Sequence, residues 1–370
     1  MSSLEQLSTG KKGKLHFFKG DDNGTLIGSH NVFDFDGTAQ NVGMVQTWNQ
    51  CEQMLLTSVD KAENVLLMDT ETGAALSELS LRRQQKNWKL SVDSITPMQK
   101  FEQYKASKEF NLFGLGDDGK TVFALSHDSR SGENVEEYVI RADSSRKYKS
   151  YTFTCHAQTK GGHLVLGRTD GGVALYDAIM QSEKAACVLD GMPGPVTSID
   201  VSADGSMIVW TTPEFVFLSC PSEAHWESGT KPGGKPAILK LDVRPEDLKR
   251  MVELETGEEA GGLQGEEGEG EDELPQWQTV KFDATTAKDD VGVAEREIIS
   301  YCGSTQLRWN VVAAKNAWAV LDTLEEGAER PAPFYGKAQN IGGPVFRHVT
   351  VKDDLDIVAL GDDMVRSLHF

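Results

Sequence analysis

The sequence predicts an all-β protein with the blades of a β-propeller. Seven blades give the best count, and six remain an alternative. The first observation is a dominant period-2 alternation of apolar residues in short runs, separated by Gly, Asp, Asn and Pro. The second is a scarcity of helical i, i+3, i+4 stripes, with candidates only at Pro245–Val252 and Lys288–Glu297. The third is a recurrence of four-strand groups, which is typical of propellers.

The recurrence can be measured between equivalent positions. The third strand of each group carries a similar phrase (VLLMD, FALSHD, VALYD and VFLSC), and Leu66, Val122, Val173 and Phe215 are separated by 56, 51 and 42 residues. One four-stranded sheet cannot bury both of its faces alone, whereas radial stacking of blades buries them and leaves short edges. Turn residues between the strands, such as Ala203-Asp204-Gly205, are those of tight hairpins.

The predicted strands fall into groups along the chain. They are Gly43–Trp48, Gln53–Ser58, Asn64–Asp69 and Ala75–Leu81; then Asn111–Gly116, Lys120–Ser126 and Glu136–Arg141; then Tyr151–Ala157, His163–Arg168, Gly172–Asp177 and Ala185–Leu189; then Val196–Val201, Met207–Thr212, Phe215–Cys220 and Ala237–Asp242; then Trp277–Phe282, Ile298–Gly303, Thr305–Val312 and Trp318–Leu321; and finally Pro344–Thr350, Asp356–Leu360 and Met364–Phe370. The last blade has three strands, so we expect Lys14–Phe18 to complete it.

The predicted domain organisation is a flexible tail over residues 1–12 and a single propeller domain over 13–370. That domain is interrupted at 253–273, where ten carboxylates occur with no Lys or Arg. Such a segment repels itself and has little to bury, so we expect it to be disordered. It supplies half of the formal net charge of −20. An acidic chain argues against binding to nucleic acid or to anionic membranes.

Motifs for catalysis or cofactors are weak. Gly114–Thr121 matches GxxxxGK[ST], but a strand follows where a phosphate-binding loop needs a helix, so a hairpin turn is the better interpretation. The five cysteines form no CxxC pair, and the eight histidines show no metal-binding spacing. We therefore predict no catalytic residue, no metal and no cofactor. A polar N-terminus and the lack of an 18-residue apolar run predict a cytoplasmic protein, with the nucleus as an alternative.

Candidate contact residues lie in the connections between strands. Two clusters mix basic and aromatic residues, and Trp226 stands in a polar loop where we expect it to be exposed as a contact anchor. The acidic segment supplies further candidates. The complete set is Arg82, Arg83, Lys86, Trp88, Arg146, Lys147, Trp226, Glu266, Glu267, Glu269, Glu271, Asp272 and Glu273.

The sequence resembles the C-terminal WD40-like propeller domain of the vacuolar import and degradation protein family, and most closely its plant branch, named for defective embryos and meristems. The strongest stretch is Tyr148–Cys220, which includes YKSYTFTC, GGVALYD and SADGSMIVWTTPEFVFLSC. Weaker matches are NVLLMDTETG, FGLGDD, PAILKL, EREIISYCGSTQLRWN and DIVALGD. Family members usually carry an extra N-terminal region, and in this sequence we expect only a short tail before the propeller. The acidic insertion matches no family motif.

The resemblance implies a non-enzymatic scaffold that binds protein partners through its loops and is linked to vacuolar protein degradation or cell growth. We expect partners with basic surfaces, because the acidic segment would steer such partners to the protein. An enzyme or a small-ligand binder that uses the central channel remains the alternative. An acidic chaperone for basic proteins is a third hypothesis.

Overall fold

The computed structural model of the protein describes part of the chain. The described residues are 3–5, 14–18, 26–34, 36–48, 53–58, 64–69, 71–80, 82–83, 88–89, 92–97, 109–116, 119–128, 133–141, 151–159, 162–177, 185–202, 204–227, 234–256, 276–282, 296–324, 331–340, 347–350, 357–360 and 365–368. They belong to two compact units. The first covers residues 1–153 with 160–162, and the second covers 154–159 with 163–370.

In the first unit the described strands form three antiparallel sheets and a two-stranded ribbon. The sheets are β1–β3 (Ser3–Glu5, Lys14–Phe18, Leu26–Asn31), β4–β7 (Val42–Trp48, Gln53–Ser58, Asn64–Asp69, Ala75–Ser80) and β10–β13 (Val92–Pro97, Glu109–Gly116, Thr121–Asp128, Glu133–Arg141), and the ribbon is β8–β9 (Arg82–Arg83, Trp88–Lys89). Leu115 pairs with Val122 across β11 and β12. The GxxxxGK[ST] match is therefore the predicted hairpin, and a strand follows it.

The second unit contains four sheets among the described strands, and two helices lie in their connections. The elements are β14–β17 (Phe153–Gln158, Leu164–Arg168, Val173–Tyr176, Cys187–Leu189), β18–β21 (Ser198–Val201, Ile208–Thr211, Val216–Ser219, Leu239–Asp242), α1 (Pro245–Thr256), β22–β24 (Trp277–Phe282, Glu297–Cys302, Thr305–Asn310), α2 (Val311–Asp322), β25 (Phe334–Tyr335), β26 (Lys337–Asn340) and β27–β29 (Arg347–Thr350, Ile357–Leu360, Val365–Leu368). β25 adds to β21, and β26 adds to β24.

Burial explains why the middle strands of these sheets are almost entirely apolar. Every residue of β15, β16, β19 and β20 is buried, because both faces of these strands are covered. The outer strand β21 instead alternates between buried and more exposed residues. The predicted turn before β19 is also present. Gly205 has a φ of +74°, and Ser202 and the Ser206 amide donate hydrogen bonds to Asp204.

The described strands near the chain ends differ from one prediction. Ser3–Glu5 forms β1 within the predicted tail of residues 1–12; the rest of that tail lies outside the described residues, and its flexibility stays a prediction. Lys14–Phe18 does not complete the last blade, because it is the middle strand of its own sheet, between β1 and β3. The three strands of the last sheet are otherwise as predicted. The single-domain boundary at 13–370 stays a prediction.

Three further differences concern element type and extent. The stretch Trp318–Leu321 is part of helix α2, since Val311, Ala314, Trp318 and Leu321 follow helical spacing; a short apolar run cannot by itself distinguish strand from helix. β26 takes the place of that strand. Val92–Pro97 is an additional strand of the second predicted group.

Helix α1 also runs past the predicted boundary. It continues to Thr256, so the first four residues of the segment expected to be disordered, 253–256, are helical. Glu and Leu are good helix formers, and Lys249 lies 4.0 Å from Glu253 one turn later. Residues 257–275 lie outside the described residues. The second helix candidate was Lys288–Glu297. Its residues 288–295 lie outside the described residues, and Glu297 begins strand β23.

Candidate functional site

The candidate site lies in the second unit, where helix α1 packs beside the outer strand β26. Met251 fixes the helix: its side chain is buried in a core cluster that also holds Leu307 and Trp309 of β24, with Ala338 of β26 packed against the cluster. Asp247, Arg250, Met251 and Leu254 follow i, i+3, i+4, i+7 spacing and form one face of α1. That face is therefore directed toward β26.

A groove separates the helix from the strand. It encloses a cavity volume of about 50 Å³ and is lined by Asp247, Arg250, Met251, Leu254, Thr305, Ala338, Gln339 and Asn340. Asp247 and Arg250 form a loose ion pair at 3.8 Å, in which the arginine side chain is 68% exposed. The groove thus combines an apolar floor with two charged groups at its rim. Its volume lies below the roughly 300–1,000 Å³ of small-molecule pockets.

A second structural feature is the strap, which we define as residues Phe334–Asn340. Its first part, β25, pairs in parallel with β21, and its second part, β26, pairs antiparallel with β24. At the crossing point, Gly336 donates its amide hydrogen to the Asp242 carbonyl at 3.0 Å. Trp309 Nε1 donates to the same carbonyl at 3.2 Å. The strap therefore joins the outer strands of two sheets.

Helix α2 is attached to the chain just before the outer strand β21. Asn310 caps its first turn by accepting a hydrogen bond from the Ala313 amide. Near its C-terminal end, Trp318 Nε1 donates to the Ala237 carbonyl at 2.7 Å, and Asp322 accepts the Ala237 amide at 2.9 Å. The cap is local to the helix, whereas the other two contacts attach its C-terminal half to Ala237, two residues before β21.

The helices and the strap carry most of the exposed apolar side chains of the described residues. Seven large hydrophobic side chains are exposed among the described residues, and five of them lie in α1, α2 or β25: Leu248, Leu254, Val312, Val320 and Tyr335. Isolated exposed apolar residues are ordinary on protein surfaces, and these five are concentrated in segments outside the repeating strands.

The expectation that Trp226 is exposed was wrong. Its side chain is only 3% exposed and lies against the His163 ring, with ring centroids 5.0 Å apart. It belongs to the core cluster that includes Val165 and Trp210. A polar loop sequence does not reveal that its aromatic residue folds back over a neighbouring hairpin.

The other predicted contact residues lie in the first unit or outside the described residues. Arg82, Arg83 and Trp88 lie in the ribbon β8–β9 of the first unit, where Arg83 pairs with Trp88 through the backbone. The remaining residues lie outside the described part of the chain: Lys86, Arg146, Lys147, Glu266, Glu267, Glu269, Glu271, Asp272 and Glu273. Their role as contacts stays a prediction.

Sequence reasoning missed the groove for an identifiable reason. The helix predicted from the sequence ends at Val252, but the face that lines the groove continues to Leu254. Leu254 lies within the predicted acidic segment of residues 253–273, so the pattern does not include it. Extending the helical pattern to Leu254 would have revealed it. The partner strand β26 is short and polar (KAQN), and no periodicity identifies such a strand.

The buried thiols in this unit are poor candidates for chemistry. Burial raises the pKa of Cys155 to about 11 and that of Cys220 to about 12, which keeps both thiols protonated at neutral pH. Among the described residues, no three His, Cys, Asp or Glu side chains are grouped so that they could hold a metal ion. Nor does any helix in that part of the chain have the length and apolar character required to cross a bilayer.

Comparison with solved structures shows the fold. The β-propeller domain of Cps50 (Swd1) from Myceliophteria thermophila matches with a TM-score of 0.56 and 11% identity, over 95% of this chain and 88% of that chain. A chain in a crystal structure of the mitotic checkpoint complex matches with a TM-score of 0.56 and 11% identity, over 97% of this chain and 82% of that chain. The predicted all-β, WD40-like propeller fold is confirmed.

Comparison at the sequence level shows the family. Residues 12–319 match the VID27 C-terminal WD40-like domain. Vacuolar import and degradation protein 27 of Saccharomyces cerevisiae (strain ATCC 204508 / S288c) is 24% identical over 224 residues, which is 60% of this chain. The match spans 26% of the length of that curated relative. The family resemblance is confirmed, and the chain belongs to the VID27 family through its WD40-like domain.

Proposed function

We propose that the protein is a non-enzymatic scaffold that binds protein partners through the connections between its propeller strands. The observation that carries this proposal is the concentration of exposed apolar side chains in α1, α2 and the strap. These elements are additions to the repeating sheets, and binding residues are often placed on such connections over a rigid framework. Core contacts of Met251 and hydrogen bonds of Trp318 hold them in fixed positions.

The acidic segment that follows α1 would select the partner by charge. Between residues 257 and 273 the sequence has eight carboxylates and no basic residue. Such a segment raises the association rate of a basic partner. Salt limits the range of this attraction to about 10 Å at 0.1 M ionic strength. We therefore place a basic surface on the partner.

The cellular setting is proposed from the family. The name of the yeast relative refers to vacuolar import and degradation, and its match covers a quarter of that protein. We propose a role in the cytoplasm, or in the nucleus, that is connected with delivery of proteins for vacuolar degradation or with cell growth.

The test is affinity purification from lysate at low and at high salt. The variant should replace the eight carboxylates of residues 257–273 by their amides, because this keeps the chain length and spares α1, which ends at Thr256. We expect the wild-type protein to recover a specific partner at low salt, and the variant to recover less. No partner above background would contradict the scaffold function, and equal recovery would contradict selection by charge.

A further inference from the structure

We propose that the groove between α1 and β26 binds an extended basic segment of a partner protein, which adds to β26 as a fifth strand. This inference rests on the proposed scaffold function and names the site and the kind of ligand. Strand addition at a sheet edge supplies backbone hydrogen bonds, while pockets beside the edge select alternate side chains.

The first support is the position of β26 in its sheet. The order of the described strands is β22–β23–β24–β26, so β26 is the outermost of them. The neighbouring sheet in the same unit has already received a fifth strand, because β25 pairs with β21 through Leu241–Phe334 and Asp242–Tyr335. An outer strand in this part of the fold is thus able to accept another strand.

The second support is the shape and composition of the groove. A cavity volume of about 50 Å³ is far too small for a drug-sized ligand and leaves room for one small side chain. Met251 is 2% exposed and lies at its base, while Leu254 is 42% exposed at its rim. An apolar side chain of a bound strand would cover the exposed part of Leu254 and contact Ala338.

The third support is charge. Helix α1 has four carboxylates against two basic residues, and eight further carboxylates follow between residues 257 and 273. In the groove itself, Asp247 faces Arg250 at 3.8 Å, so the only cation on that helix face is partly neutralised. A strand that alternates apolar and basic residues would place its apolar residues on the side of the groove, and its basic residues would be attracted by the net negative charge of α1 and of the sequence that follows it.

Binding of a defined probe tests the proposal. The probe is a fluorescent 12-residue peptide that alternates Lys and Val, and fluorescence anisotropy reports its affinity for the full chain. We expect Leu254→Asn to weaken binding about tenfold, because the apolar contact at the rim is lost. Leu248→Asn is the matched control: Leu248 is 43% exposed on the same helix but does not line the groove, and its change should leave affinity within about twofold.

A second variant tests the charge at the site. Arg250→Gln removes the cation from the groove and should strengthen binding of the Lys–Val peptide about twofold. Arg250 is largely exposed, so this variant should keep the fold, as thermal melting can verify. Weaker binding of the peptide to Arg250→Gln would overturn the assignment of a basic ligand.

Two outcomes would overturn this proposal while leaving the scaffold function intact. The first is an oligolysine peptide of equal charge that binds as tightly as the Lys–Val peptide and is insensitive to Leu254→Asn, because binding would then be electrostatic only. The second is tighter binding of the Lys–Val peptide by the amide variant of residues 257–273, because the acidic segment would then not attract the basic ligand. Loss of partner recovery from lysate, in contrast, tests the scaffold function itself.

Discussion

The outer strands β21 and β26 belong to two sheets that follow one another along the chain, and different elements lie beside their edges. The edge of β21 is covered by β25 at Leu241 and Asp242, and α2 is attached beside it through Trp318 and Asp322. Beside β26, the structure places a helix with an intervening groove. Exposed strand edges invite pairing, and proteins usually cover them. Under the proposed binding mode, the paired part of β21 contributes to stability and the edge of β26 receives the partner strand.

The largest expected effect is at Trp309 of β24, which connects its sheet to the neighbouring strand β21. It is 1% exposed, and its Nε1 bonds to the Asp242 carbonyl on β21. Trp309→Ala should lower the free energy of unfolding by about 3–5 kcal/mol, since a large buried side chain leaves a cavity. Urea denaturation followed by circular dichroism measures this.

Trp309→Phe is the matched variant, because it keeps an aromatic ring and removes the indole donor. Its cost should be smaller, about 1–2 kcal/mol. Equal stability of Trp309→Ala and the wild-type protein would show that the two edges are not joined through this residue.

A smaller effect is expected where the strap crosses between the sheets. A Cβ at position 336 would lie 2.7 Å from the Trp309 ring and 3.1 Å from the Arg308 carbonyl oxygen. Gly336→Ala should therefore cost about 1–3 kcal/mol through overlap. Gly234→Ala is the control, because nothing lies within 4 Å of its added Cβ, and it should change stability by less than about 0.5 kcal/mol. Similar unfolding midpoints for both variants would contradict close packing of the strap.

The smallest expected effect is a pH dependence that originates away from both edges, at the His163–Trp226 contact. Burial lowers the pKa of His163 from its ordinary 6.5, although Asp177 and Glu227 oppose this. Below pH 6.5 the unfolded chain therefore binds more protons than the folded protein, so this contribution to stability is present above pH 6.5 and decreases as the pH falls toward the lowered pKa.

Replacing the imidazole should remove that contribution. His163→Gln should lose stability less steeply than the wild-type protein between pH 7 and pH 5, measured by urea denaturation at each pH. An identical slope for both proteins would exclude His163 as the source. The result sharpens the comparison, because variants at the strap should leave this slope unchanged.

The repeating part of the fold could be predicted from sequence, and the site could not. Strands such as Leu164–Arg168 and Val216–Ser219 are buried along their whole length, so they produce continuous apolar runs that mark their position. Asp204 and Gly205 likewise have the local chemistry of a turn. These features depend on near neighbours in the chain.

The site depends on contacts between distant parts of the chain. Met251 meets Leu307 and Ala338 only after folding, and the polar strand Lys337–Asn340 becomes a strand by pairing with β24. Trp226 shows the same limit, since its burial is set by His163, 63 residues earlier in the sequence. Tertiary contacts override local pattern in each case.

Hydrogen exchange at the two edges tests the central claim most directly. The full chain is exchanged with and without a saturating amount of the alternating Lys–Val peptide, and the amides of Lys337–Asn340 are compared with those of Leu239–Asp242. The account predicts slower exchange at Lys337–Asn340 and no change at Leu239–Asp242, where β25 already pairs with β21. Unchanged exchange at Lys337–Asn340, or equal protection of both strands, would contradict it.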